Sequence, residues 1–307
     1  MRGSEVIRLS VFFDHILQAE EQTGKHIPEL LAEVKKAGIS AVEINRTYLL
    51  EHPATLEVLE TAGLQVSCIY EFYALERGRE TEKARRHIEI ARKTKAGKIL
   101  IVPGFFSVEA EEFVNCVPDR EKVWDYLSHS EKAQRMADGL REIVEMAGSR
   151  NIADTPITVV IEDFDDRNSS IACVSGMQWF AEQVPGLCFT FDTGNFIIHG
   201  EDIFAAWEEL KDKVVHVHCK DRKISSDKPL QTQKNATPDI KECYLPAAVG
   251  EGCIPIKELV YKMKEYGYRG YLAIEHFDAA DQEAYMQKSV ANLQEYCSQT
   301  GMEIYTK

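Results

Sequence analysis

The chain has 307 residues, 44% of them hydrophobic and 28% charged, the balance of a soluble globular protein. It has no apolar run of the roughly 18 residues that a membrane span needs, and the opening MRGSEVIRLSVFFDH has no apolar stretch of signal-peptide length. No membrane association is therefore expected, and a cytoplasmic location is. Asp and Glu outnumber Lys and Arg by 50 to 36, a net charge of −14, which argues against a nucleic-acid partner because that needs a basic footprint. A small anionic substrate held by a local Lys or Arg stays compatible with it.

Strand-like and helix-like segments alternate along the chain. Residues 7–13 form a β-rich run, and 26–37 follow with helical spacing (Ile27, Leu30, Leu31, Val34) up to Gly38. Strands are predicted at 41–44, 65–70, 98–102, 157–162, 187–191, 214–218 and 271–275. Helices are predicted at 53–62, 80–95, 122–147 with a break near His129, 175–183, 203–210, 256–266 and 281–297. Residues after Gly301 read as a loosely held tail. Several strands are continuous apolar runs, as expected when both faces are covered. Eight strands, each followed by a helix, specify an α/β fold, a single (β/α)8 TIM barrel spanning 1–307. No GxGxxG follows the first strand, so a dinucleotide-binding sheet is disfavoured. One long irregular stretch, 222–253, follows the seventh strand and is read as an active-site loop over the C-terminal mouth.

Eight cysteines stand at Cys68, Cys116, Cys173, Cys188, Cys219, Cys243, Cys253 and Cys297. They form no CxxC pair and read as reduced thiols.

Four strands end in side chains of the metal-ligand type. VVIEDFDD ends its strand at Glu162, CFTFDTGNF at Asp192 and YLAIEHFD at Glu275, while VVHVHCKDR carries His216 and His218. Strand side chains alternate faces, so Glu162 shares its face with Val160, Asp192 with Thr190, and His216 with His218. Three carboxylates crowded in an apolar interior repel one another and lose hydration. One divalent metal ion relieves both effects; three carboxylates and an imidazole suit Mn, Mg, Co or Zn. A lone acid at a strand end is more often a helix cap, and a lone inward His a core residue. Four on successive strand ends is the informative coincidence. His216, one layer deeper, reads as a support for His218.

These residues resemble the xylose isomerase-like TIM barrel superfamily, the sugar phosphate isomerase/epimerase group, from Leu9 to about Tyr285. The carrying segments are VVIEDF, FTFDTGN, VHVHCKD, AVGEGCIP and GYRGYLAIEHF. The resemblance implies metal ligation by Glu162, Asp192, His218 and Glu275. It implies an isomerase or epimerase acting on a ketose or sugar phosphate through an enediolate, with Glu162 and Glu275 as the acid/base pair. Ketose epimerases of the group carry a His where Asn195 stands, and an Arg near Lys220 and Arg222. Asn195, His216, Lys220, Arg222, Glu43 and Tyr70 form the candidate substrate-binding set. His15, Arg46 and Glu71 join the mouth candidates, and Phe13, Phe72 and Phe277 an apolar wall. A homodimer or homotetramer is the assembly the group implies. The alternatives are an inosose dehydratase-like lyase on the same metal site and a non-catalytic sugar-binding barrel. An apurinic-site endonuclease is disfavoured, because the third and fourth strands offer no His.

Overall fold

The computed structural model describes residues 6–106, 113, 117, 119–148, 155–166, 169–225 and 244–305. Its strands are β1 (Val6–Phe12), β2 (Ala41–Asn45), β3 (Gln65–Phe72), β4 (Lys98–Val102), β5 (Thr158–Glu162), β6 (Cys188–Asp192), β7 (Val214–Ile224), β8 (Tyr244–Ala247), β9 (Tyr271–Glu275) and β10 (Glu303–Ile304). Strands β1 to β7 are hydrogen-bonded in sequence order, and β9 pairs with both β7 and β1. The ring of eight parallel strands therefore closes, with helices between them: a (β/α)8 barrel. No described helix is long and apolar enough to cross a membrane.

The chain falls into two compact units: Met1–Glu43 with Ala54–Gln65 and His216–Lys307, and Ile44–Pro53 with Val66–Val215. In the first, β1 runs parallel to β9 with Ser10 opposite Ala273 and Val11 opposite Ile274. All five residues of β9 are buried, as a strand covered on both faces requires. In the second, β4 pairs with β5 and β5 with β6, Glu162 lying opposite Thr190. The helix Glu131–Gly148 buries Ala133, Met136, Ala137, Leu140, Ile143 and Ala147, the spacing of one apolar stripe.

Three local features depart from the sequence pattern, and a fourth, the break near His129, follows it. A helix, Phe13–Thr23, directly follows β1; its stripe of Phe13, Ile16 and Ala19 is too short to stand out among polar neighbours. The helical stretch over 122–147 breaks where expected, into Arg120–His129 and Glu131–Gly148, parted at Ser130, whose hydroxyl accepts the Ala133 N–H in an N-cap. Strand β7 runs on to Ile224 because its polar end pairs antiparallel with β8. The expected loose tail instead adds Glu303–Ile304 beside β1. Of the predicted loop at 222–253, residues 226–243 lie outside the described residues, as do Cys116 and Cys243; Cys68, Cys173, Cys188, Cys219, Cys253 and Cys297 are free thiols.

His87 is a fully buried titratable group in the second unit. Its Nε2–H donates to the Ile69 carbonyl at 3.1 Å, which leaves Nδ1 to accept from the Tyr73 hydroxyl at 3.2 Å. Burial pushes its pKa from the ordinary 6.5 down to about 3. The unfolded chain therefore binds a proton that the folded chain refuses, and stability falls as pH drops below about 6.5. Wild type is expected to lose about 2 kcal/mol more than His87→Gln between pH 7 and pH 5. Urea unfolding at the two pH values checks this; equal losses would contradict it.

Candidate functional site

In the first unit, alternation along β7 puts His216, His218 and Lys220 on one face. Register does the rest: Lys220 lies directly opposite Glu275 of β9. Lys220 Nζ reaches Glu275 Oε1 at 2.6 Å, and His218 Nδ1 stands 3.0 Å from Glu275 Oε2. Burial favours the neutral acid, but the Lys220 charge and His218 hold the Glu275 carboxyl well below the usual range. Glu43, fully buried on β2, meets both histidines: His216 Nε2 is 2.8 Å and His218 Nε2 3.1 Å from its Oε2. Burial again raises its pKa, and the two imidazoles outweigh that and bring it to about 2.

Rings surround this cluster. Phe12 meets His218 edge-on at 5.0 Å and Phe277 at 5.3 Å. The His276 backbone N–H donates to His15 Nε2 at 2.9 Å, and the two rings stack at 4.5 Å. Burial and His276 lower the His15 pKa well below 6.5, so this acceptor nitrogen stays unprotonated.

In the second unit, Glu162 and Asp192 end β5 and β6, both buried. The Gly194 N–H donates to Asp192 Oδ1 at 2.7 Å, closing a tight turn. Asp163 Oδ1 accepts the Asp192 N–H at 3.0 Å, and Asn195 Nδ2 donates to the Asp163 carbonyl at 2.8 Å. Burial, then the charges of Asp192 and Glu162, push the Asp163 pKa well above its usual range. Three acids crowded this way are the kind of donor set that a cation relieves. Tyr70 is buried on β3. Phe72, 45% exposed, meets Phe164 edge-on, and Phe105 meets it from another side. Arg46 and Thr47 both hold Glu71 Oε2.

The sequence candidates thus sort by partner. His218, Lys220 and Glu275 come together. Glu43 and His216 meet each other and His218. Asn195 clamps the β5 end, and Arg222, also buried, gives its carbonyl to the Cys253 N–H at 2.7 Å. Phe13 is buried at a helix start. Asp163, His276 and Asp221 were missed. Asp163 and His276 each follow a singled-out acid, and that adjacency was the only signal.

Asp221 closes the loop after β7. Its Oδ1 accepts the Arg222 and Ile254 N–H groups and its Oδ2 those of Gly250 and Gly252, all within 3.1 Å. A Cβ on Gly252 would stand 2.2 Å from Asp221 Oδ1, and Gly250 has φ +87. The Gly-x-Gly of AVGEGCIP is thus a steric and conformational requirement of one carboxylate.

A closed (β/α)8 barrel with carboxylates and imidazoles at its strand ends is the scaffold of an enzyme class whose chemistry sits at the C-terminal mouth. The chain belongs to the Xylose isomerase-like TIM barrel family, whose profile matches residues 31–296. It is 28% identical over 86 residues to an inosose dehydratase of Lacticaseibacillus casei, a match covering 28% of each chain. A probable 3-DHS dehydratase of petrobactin synthesis from Bacillus anthracis has the same fold (TM-score 0.67, 15% identity, 94% of this chain and 99% of that one). So does a 3-keto-D-glucoside 4-epimerase from E. coli (TM-score 0.63, 16% identity, 94% and 98%).

Asp221→Ala strips the acceptor from four backbone N–H groups and is expected to cost about 3 kcal/mol. Asp221→Asn should do little better, since its NH2 would face two N–H donors. Urea unfolding and hydrogen exchange at the Gly250 and Gly252 amides measure this; unchanged stability and protection would contradict it.

Proposed function

We propose that the chain is a divalent-metal-dependent isomerase or epimerase of a ketose or sugar phosphate. The carrying observation is the chemistry of four buried donors, Glu162 and Asp192 ending two strands of one unit and His218 and Glu275 paired in the other, which together suit a metal ion. Three carboxylate oxygens and one imidazole nitrogen fit Mn, Mg, Co or Zn, and the crowding of acids around Asp163 supports a cation there. When bound, such an ion supplies the positive charge that polarises a substrate carbonyl and stabilises an enediolate.

The residues then divide the work. Glu275, kept ionised by Lys220 and His218, removes the proton from the carbon next to the carbonyl. Glu162 serves the opposite face as the second base, as epimerisation requires. Isomerisation can use one face alone. Lys220, 2.6 Å from Glu275, is placed to hold a substrate oxygen or relay the proton. Phe72 and Phe277 offer apolar surface to the sugar carbons.

A second reading is a lyase that expels water from the same enediolate. The same Lys220 ammonium favours it, because a leaving hydroxyl needs a proton donor close to the base. The inosose dehydratase similarity points the same way.

Solvent-deuterium exchange next to the carbonyl of candidate ketoses and ketose phosphates tests the shared step. Exchange is expected in metal-loaded wild type and is expected to fall about 10²–10⁴-fold in Glu162→Gln and Glu275→Gln. Loss of water from the product by mass spectrometry would select the lyase. Undiminished exchange in both variants would overturn the base assignment, and sugar binding without exchange would favour a non-catalytic binder. Elemental analysis should find about one equivalent of metal in wild type and little in His218→Ala; no uptake on addition would overturn the metal reading.

A further inference from the structure

Resting on that metal reading, we propose that Glu43 is a positioning residue: it fixes the His218 proton on Nε2 and thereby assigns Nδ1 as the nitrogen presented to the metal. Glu43 lies in the middle of β2, away from any strand end, and is fully buried. Its Oε2 stands 2.8 Å from His216 Nε2 and 3.1 Å from His218 Nε2. An ionised carboxylate oxygen can only accept, so with Glu43 as the carboxylate both ring nitrogens that face it must donate. Both imidazoles therefore carry Nε2–H.

For His218 this decides the other nitrogen. With its proton spent on Glu43, the lone pair of the neutral ring is on Nδ1. Nδ1 stands 3.0 Å from Glu275 Oε2. A contact this short needs a positive centre between the two atoms. A proton on Nδ1 supplies it when no ion is bound, and a cation held by both residues would take that proton's place.

The ring is also held in place. Phe12 packs edge-on against it at 5.0 Å, and His216 stands 5.4 Å away at 84°. His216 shares the same Glu43 oxygen, so the carboxylate is itself held by a second ring beside His218. A carboxylate behind a ligating imidazole makes it more basic and fixes its direction. Glu43 is thus taken out of the substrate-binding set and given a role through His218.

Mn2+ titration of wild type, Glu43→Ala and Glu43→Gln, followed by the EPR signal of the free ion, tests this. Glu43→Ala is expected to bind Mn2+ about 10–100-fold more weakly. Glu43→Gln keeps an oxygen that accepts from both rings and should recover most of the affinity. The tautomer is read independently in wild type, from the 15N spectrum of histidine-labelled protein in Zn2+, with His218 assigned by its loss in His218→Gln. A proton on Nε2 is expected, and its departure from Nε2 in Glu43→Ala. A purely structural Glu43 would not move that signal. His218 protonated on Nδ1 in Zn2+-loaded wild type, or a folded Glu43→Ala with unchanged Mn2+ affinity, overturns the inference alone. Wild type that takes up neither ion overturns the metal reading, and this inference with it.

Discussion

Everything at the strand ends answers to one constraint: a carboxylate taken out of water must find compensating charge or hydrogen bonds. The two units meet it differently. Around β7 and β9 the compensation is cationic and aromatic. Lys220 faces Glu275 across the ladder, and two imidazoles share Glu43. Both acids end below the usual carboxylate range despite burial. Around β5 and β6 backbone N–H groups steady Asp192 and Asp163, while neighbouring negative charge drives the Asp163 pKa up. One set of acids carries its own countercharge; the other leaves negative charge crowded where a cation would be welcome.

Strand periodicity explains why so much of this could be read from sequence. Burial on both faces makes the barrel strands continuous apolar runs, and a polar residue that ends such a run is visible. Glu162, Asp192 and Glu275 were found that way, and His216 and His218 by their spacing of two. Lys220 was singled out for its charge, but its pairing with Glu275 needed the β7–β9 register. The helix Phe13–Thr23 and the polar half of β7 were illegible for the opposite reason. One has only a short apolar stripe, and the other owes its strand form to a partner, β8, rather than to its own pattern.

Residue type also says little about a residue's partners within the chain. Glu43, Asn195 and Arg222 are polar residues one expects to touch a sugar. Within the chain Glu43 meets two imidazoles, Asn195 a backbone carbonyl, and Arg222 gives its own backbone to the Asp221 loop. Nothing local in AVEIN or DTGN separates a ligand contact from an internal one; only the contacts do. The glycines of AVGEGCIP follow the same logic. They look like a flexible loop and are instead the space that the Asp221 carboxylate and the Tyr296 hydroxyl take up.

The choice between moving a proton and expelling water turns on Lys220. Both proposed reactions begin with a base taking a proton beside a carbonyl, and Glu275 has the same task in each. An ammonium 2.6 Å from that base keeps it ionised, which makes it the weaker acceptor but a ready one at any neutral pH. Once Glu275 takes the proton, its pairing with Lys220 weakens and the ammonium is left beside a neutral acid. A substrate hydroxyl lying there would be protonated and lost. A substrate with no hydroxyl at that point would have the proton returned to carbon. On this argument the reaction class depends on where the substrate places its hydroxyls relative to Lys220 as much as on the metal or the two glutamates.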